Sequence, residues 1–80
     1  MKKYTKDEYF KTACYELLEA ECWRKNEKLP YNYLNLPVNI RRIDGELFQQ
    51  IEETYFANEF VNSEIRCLMT AQLACEKAGF

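Results

Sequence analysis

The stretch DGELFQQIEETYFANEFVNSEIRCLMTAQLACEKAGF, residues 44–80, decides the fold. Within it Leu47, Ile51, Thr54, Asn58, Val61, Ile65, Leu68, Gln72 and Cys75 follow one another at spacings of 4, 3, 4, 3, 4, 3, 4 and 3. That is an unbroken heptad register, the signature of a helix with one apolar seam. Asp44 stands before Gly45-Glu46-Leu47 as the expected N-cap, and Glu46 suits the positive end of the helix dipole. Gly79 closes the segment as a C-cap.

Whether residues 45–78 form one helix or two is left open by the pattern. No Gly or Pro interrupts them after Gly45, yet Asn58, Asn62 and Ser63 can each cap a new start. A single helix would be about 50 Å long at 1.5 Å per residue, whereas a compact chain of this size is about 30 Å across. Either the helix breaks near 58–63, or it overhangs and a second chain covers the stripe Leu47, Ile51, Val61, Ile65 and Leu68. The second alternative predicts a homodimer, with Asn58 at an a position setting the register. The first has the N-terminal helix cover the stripe within one chain.

Upstream, Thr5-Lys6-Asp7-Glu8 is a capping box that starts a helix over residues 6–26. Tyr9, Phe10, Ala13, Cys14, Leu17, Leu18 and Ala20 recur at helical spacing and predict its buried side; Glu8, Lys11, Glu16 and Glu19 are expected on a solvated face. Between the helices, residues 27–44 carry Pro30, Pro37, Asn32, Asn35 and Asn39 and read as a long connection. Tyr31, Tyr33, Leu34, Leu36, Val38, Ile40 and Ile43 make it apolar, so it is expected to pack across the helices or to hold a short helical turn. The fold class is therefore all-α, a small two- or three-helix bundle forming one domain over residues 1–80. Eighty residues leave room for one modest core.

Composition narrows the function classes. The chain has no histidine, which removes the commonest general base and a leading metal ligand, and with it Cys-His and Ser-His catalysis. Its two glycines, Gly45 and Gly79, both sit at expected helix ends, so there is no phosphate-cradling loop. A net charge of −2 fits neither a nucleic-acid reader nor a DNA mimic. No stretch approaches the apolar length of a membrane span and no apolar run follows Lys2-Lys3, so no membrane partner is expected and the chain reads as cytoplasmic. No enzyme activity, cofactor or metal is expected. Glu16, Glu19, Glu52 and Glu53 could meet across two helices, but the histidine ligands of a di-iron bundle are missing.

Four cysteines occur as two equally spaced pairs, Cys14/Cys22 and Cys67/Cys75. Eight residues of helix are about 12 Å, too far for one pair to share a zinc whose sulfur bonds are about 2.3 Å. The spacing suits two rungs between antiparallel helices, Cys14 opposite Cys75 and Cys22 opposite Cys67. In this arrangement the four cysteines resemble the twin cysteine-pair helical hairpins of the mitochondrial intermembrane space, with seven residues inside each pair here in place of nine or three. That resemblance implies a disulfide-stapled hairpin. The alternative, which a cytoplasmic compartment favours, is four free thiols serving as small core residues.

Two further sets are candidates for binding. Tyr31, Tyr33, Arg41 and Arg42 place stacking rings and guanidinium forks in one segment, suited to a phosphate-bearing small molecule or nucleotide, or to a protein partner; equally, the tyrosines can cover helix ends while the arginines sit in water. Trp23 lies at the edge of the first helix's apolar face, where core margin and hot spot look alike. Twelve aromatic residues in a chain without catalytic groups point to a module that acts by binding another protein, as an adaptor or inhibitor. Size and composition resemble the accessory proteins of phages and other mobile elements.

Overall fold

The computed structural model describes residues 4–30, 32–55 and 62–79, with the backbone alone at Tyr55. Among them it forms three α-helices and no strand: α1 Lys6–Lys25, α2 Val38–Tyr55 and α3 Ser63–Ala78, with one 3-10 turn at Tyr33–Asn35. The chain is a small all-α bundle.

The start of α1 follows from its capping box. The Thr5 hydroxyl accepts from the Glu8 amide at 3.1 Å, and the Glu8 carboxylate accepts from the Thr5 amide at 2.9 Å. Such a box fills two of the amide donors that every helix start leaves open. The helix stops where Asn26 turns left-handed, at φ 57°, and returns its amide to the carbonyls of Cys22 and Trp23.

The expected connection over 27–44 is corrected, because a helix occupies its last third. Pro37 sets the start: its ring fixes φ, and its carbonyl takes the first helical hydrogen bond from the Arg41 amide at 3.2 Å. From there Ile40, Ile43, Leu47 and Ile51, spaced 3, 4 and 4, form one buried stripe. Asp44 is thus not an N-cap but a buried residue inside α2, and Gly45 is an exposed position within the same helix. Of the two alternatives for residues 45–78 the structure has two helices, since Asn62 is extended and caps α3 by accepting from the Ile65 amide at 2.9 Å; Asn58 lies outside the described residues. Gly79, at φ 94°, ends α3 as expected.

The helices α1 and α3 pack along most of their length. They run antiparallel, as Lys6 lies beside Gly79 while Leu17 to Arg24 share a groove with Glu64 and Leu68. Small residues permit the close approach: Ala13 and Ala20 on α1, and Ala71, Ala74 and Ala78 on α3, are all buried. Thr12 and Thr70 are also buried, and each hydroxyl donates one turn back within its own helix, to Glu8 and Arg66 at 2.8 Å. The core joins Tyr4, Ala13, Ile43, Leu47 and Ala74. Polar ties fasten α2 to the rest, with the Tyr4 hydroxyl donating to Glu46 and the Asn39 amide to Glu8, both at 2.7 Å. Near the start of α3, Arg66 pairs with Glu52 and lies over the Phe48 ring at 5.4 Å.

The buried side of α1 differs from the expected one. Thr12, Ala13, Tyr15, Glu16, Ala20 and Cys22 are inside, whereas Phe10, Cys14 and Leu17 are exposed. Glu16, expected on the solvated face, is 2% exposed. The cause is the position of the third layer. With α3 on one side of α1 and α2 on another, the covered arc spans Thr12, Ala13, Glu16 and Ala20 rather than Phe10 and Leu17.

Candidate functional site

Where the three helices meet, the bundle buries polar side chains. Helix α1 brings Tyr15, Glu16 and Glu19, α2 brings Asp44, and α3 brings Cys67, with Tyr33 arriving from the 3-10 turn. Spacings of 3 and 4 residues along α1 put Glu16, Glu19 and Tyr15 on neighbouring turns, so each helical register delivers its residue to one level. The Glu16, Glu19 and Cys67 ligand atoms lie within 4.8 Å of one another.

The electrostatics follow from burial. Glu16 is held protonated, its carboxyl pushed up to about 10 by desolvation first and then by the neighbouring Asp44 and Glu19. Burial also raises Asp44, against the opposing effect of hydrogen bonds from Glu16 and Tyr33. The Cys67 thiol is raised by burial and by the same two glutamates. Tyr33 is pushed up to about 12 by burial and by Asp44. Among the described residues no lysine or arginine pairs with Glu16, Glu19 or Asp44. Two oxygens stay without a hydrogen-bond partner, Glu16 Oε2 and Asp44 Oδ1. The cluster opens to solvent at Glu19, along a cleft lined by Tyr15, Tyr33, Asp44, Phe48 and Glu52.

The residues singled out in the sequence fall in three places. Tyr33 turns inward; its ring packs against Tyr15 at 5.6 Å and its hydroxyl donates to the Arg41 carbonyl at 3.3 Å. Arg41 returns its Nε to the Leu36 carbonyl at 3.2 Å, while Arg42 is exposed. Both Tyr33 and Arg41 therefore hold the turn before α2, while the charge of Arg42 acts on Tyr4. Tyr31 lies outside the described residues. Trp23 is 55% exposed, with its indole N–H reaching Glu19 at 3.4 Å. Of the heptad stripe, Leu47 and Ile51 are buried in the chain's own core, Ile65 and Leu68 are exposed, and Val61 lies outside the described residues.

All four cysteines are free, and the antiparallel ladder does not form. Cys67 faces Glu16 and Glu19; Cys22 sits against the Lys28 carbonyl at 3.8 Å; Cys14 is exposed beside Leu36, Pro37 and Ile40. Sequence reasoning set Glu16 and Glu19 against Glu52 and Glu53, and passed over Asp44 and Cys67 as their neighbours. One signal was available, since Glu16 lies three residues after Ala13 and four before Ala20, on the face that those alanines mark as closely packed.

No protein family, no curated protein and no solved structure matches the chain. Among the described residues no helix is long and apolar enough to cross a membrane.

Proposed function

We propose that the chain acts by contact with protein surfaces, and that its first contact is with a second copy of itself through the outer face of α1 and α3. The observation that carries this reading is the exposed apolar residues along that pair of helices: Leu17 and Leu68 share one groove, with Ile65 one turn from Leu68 and Phe10 two turns from Leu17. Four large apolar side chains, each 43–49% exposed, form a patch of the kind that marks interaction sites on small proteins. The rim of the groove carries Glu21, Arg24 and Glu64. Mixed charge suits a two-fold contact, because the Arg24 of each copy can face an acid of the other.

The seam expected from the heptad register is thereby redrawn. Leu47 and Ile51 belong to the private core, and Ile65 and Leu68 join residues of α1 in its place. Absence of histidine and of a phosphate loop supports a binding role over catalysis. Sedimentation equilibrium on the wild type and on Leu68→Glu tests the proposal. The wild type is expected as a dimer at about 100 μM, above the micromolar range of ordinary specific association, and Leu68→Glu as a folded monomer. A wild type that stays monomeric there would remove self-contact from the reading.

A further inference from the structure

We infer that Glu16, Glu19 and Cys67 form a binding site for a thiophilic divalent cation of the zinc class. Three observations meet at this point. The three ligand atoms come from two helices and already lie within 4.8 Å of one another. Glu16 is 2% exposed, and its Oε2 has no hydrogen-bond partner, an expensive arrangement for a carboxyl inside an 80-residue bundle. No side-chain cation among the described residues pairs with Glu16, Glu19 or the adjoining Asp44. The pocket is thus acidic, buried and short of a positive charge.

Ligand chemistry selects the metal. Zinc takes carboxylate oxygens at about 2.0–2.2 Å and thiolate sulfur at about 2.3 Å, so tetrahedral ligand atoms sit about 3.5 Å apart, a contraction of at most about 1.3 Å from separations that are all within 4.8 Å. Glu19, half-buried on the cleft side, can supply that movement by rotamer change. One thiolate disfavours magnesium and calcium, which take oxygen ligands alone. On binding, Cys67 loses its proton to solvent through the cleft beside Glu19, and the proton of Glu16 passes to Asp44, its hydrogen-bond acceptor in the metal-free chain. Asp44 then donates back to the Glu16 carboxylate, positioning it as outer partners of metal ligands do. Glu19 also lines the cleft shared by Tyr15 and Tyr33, which would give a bound ion access to water.

Cobalt(II) is the probe, because a cobalt–thiolate bond gives a near-ultraviolet charge-transfer band that carboxylates do not. Chain stripped with EDTA and titrated with cobalt chloride should develop that band at one equivalent, and zinc chloride should bleach it while magnesium chloride does not. A triple variant, Cys14→Ser with Cys22→Ser and Cys75→Ser, should keep the band. Cys67→Ser should lose it, with affinity for zinc reduced at least roughly 100-fold, the scale on which metal sites respond to lost partners. Should Cys67→Ser fail to fold, Glu19→Gln decides: binding weakened at least roughly tenfold with unchanged helicity upholds the site, and unchanged binding overturns it. Absence of the band in the wild type, or its persistence in folded Cys67→Ser, also overturns it, leaving Glu16 and Asp44 as a proton-sharing pair only.

Discussion

The seam between α1 and α3 and the junction that admits α2 are built from opposite materials. The seam is lined by alanine and threonine, and its two buried hydroxyls are satisfied within their own helices. The junction combines large aliphatic side chains, Ile43, Leu47 and Ile51, with a carboxyl pair whose oxygens are incompletely bonded. Close backbone approach supplies dispersion contact at little side-chain entropy cost. The junction gains more from area and loses part of it to desolvation of Glu16 and Asp44. A chain with so small a core loses stability by keeping two buried acids, which is why a role beyond packing is assigned to that corner.

The largest effect separating the two regions should come from opposite changes of size. Ile43 is 1% exposed, so Ile43→Ala removes buried methyls and leaves a cavity, at a cost of about 2–5 kcal/mol. Against a total of about 5 kcal/mol expected for a small domain, that leaves about 0–3 kcal/mol, so at the upper end of the cost about half of the molecules unfold at 25 °C. Ala74, 0% exposed, fails in the other direction: Ala74→Leu should cost about 1–3 kcal/mol by forcing the backbones apart. Urea unfolding followed by circular dichroism measures both. A mild Ile43→Ala with a ruinous Ala74→Leu would place the weight of the core in the seam instead.

The next effect concerns pH, in chain freed of metal by EDTA. Glu16 is held at about 10 against its ordinary 4.5, with Asp44 and Tyr33 facing it from α2 and the turn, Cys67 from α3, and Glu19 and Tyr15 from its own helix. Below 4.5 the carboxyl is protonated folded or unfolded, and its burial costs least. Between 4.5 and about 10 the unfolded chain releases the proton while the folded chain keeps it, so stability falls as pH rises. One retained proton gives a slope of up to about 1.4 kcal/mol per pH unit. Thermal unfolding should therefore show a higher midpoint at pH 5 than at pH 8, and Glu16→Gln should flatten the difference while raising stability at pH 8. A midpoint that climbs from pH 5 to pH 8 would contradict the buried acid.

Local signals were legible in the sequence, and long-range ones were not. The Thr5 capping box, the Asn62 cap and the Gly79 C-cap each depend on a few neighbouring residues, and each reads correctly. The start of α2 misled because Asp44-Gly45 matches a helix boundary locally, while Ile40, Ile43, Leu47 and Ile51 extend one apolar face through it. Tertiary burial outweighed local propensity there. The Glu16, Glu19 and Cys67 cluster depends on the register of α3 against α1, and its contact with Asp44 on α2 as well; no spacing within one helix encodes either.

Gly45 carries the smallest effect and the sharpest contrast between the two readings of the chain. It lies inside α2 with no φ in the left-handed region, and a Cβ added there would meet nothing within 4 Å. Glycine in a helix interior costs about 0.5–1 kcal/mol relative to alanine, because its backbone gives up more freedom on folding. Gly45→Ala should therefore stabilise the chain by about that amount, read as a higher urea midpoint at unchanged slope. Had Asp44 been the N-cap, residue 45 would be the first residue of the helix, where propensity matters less and the gain would shrink toward zero. Asp44→Ala separates the same alternatives from the other side. Loss of an N-cap costs about 0.5–2 kcal/mol, whereas inside the bundle the change leaves the buried Glu16 proton without its acceptor, at about 1–3 kcal/mol on top of the packing lost. A stabilising Gly45→Ala beside an Asp44→Ala that costs more than a lost cap is the pattern of a helix that begins at Pro37 and runs through both positions.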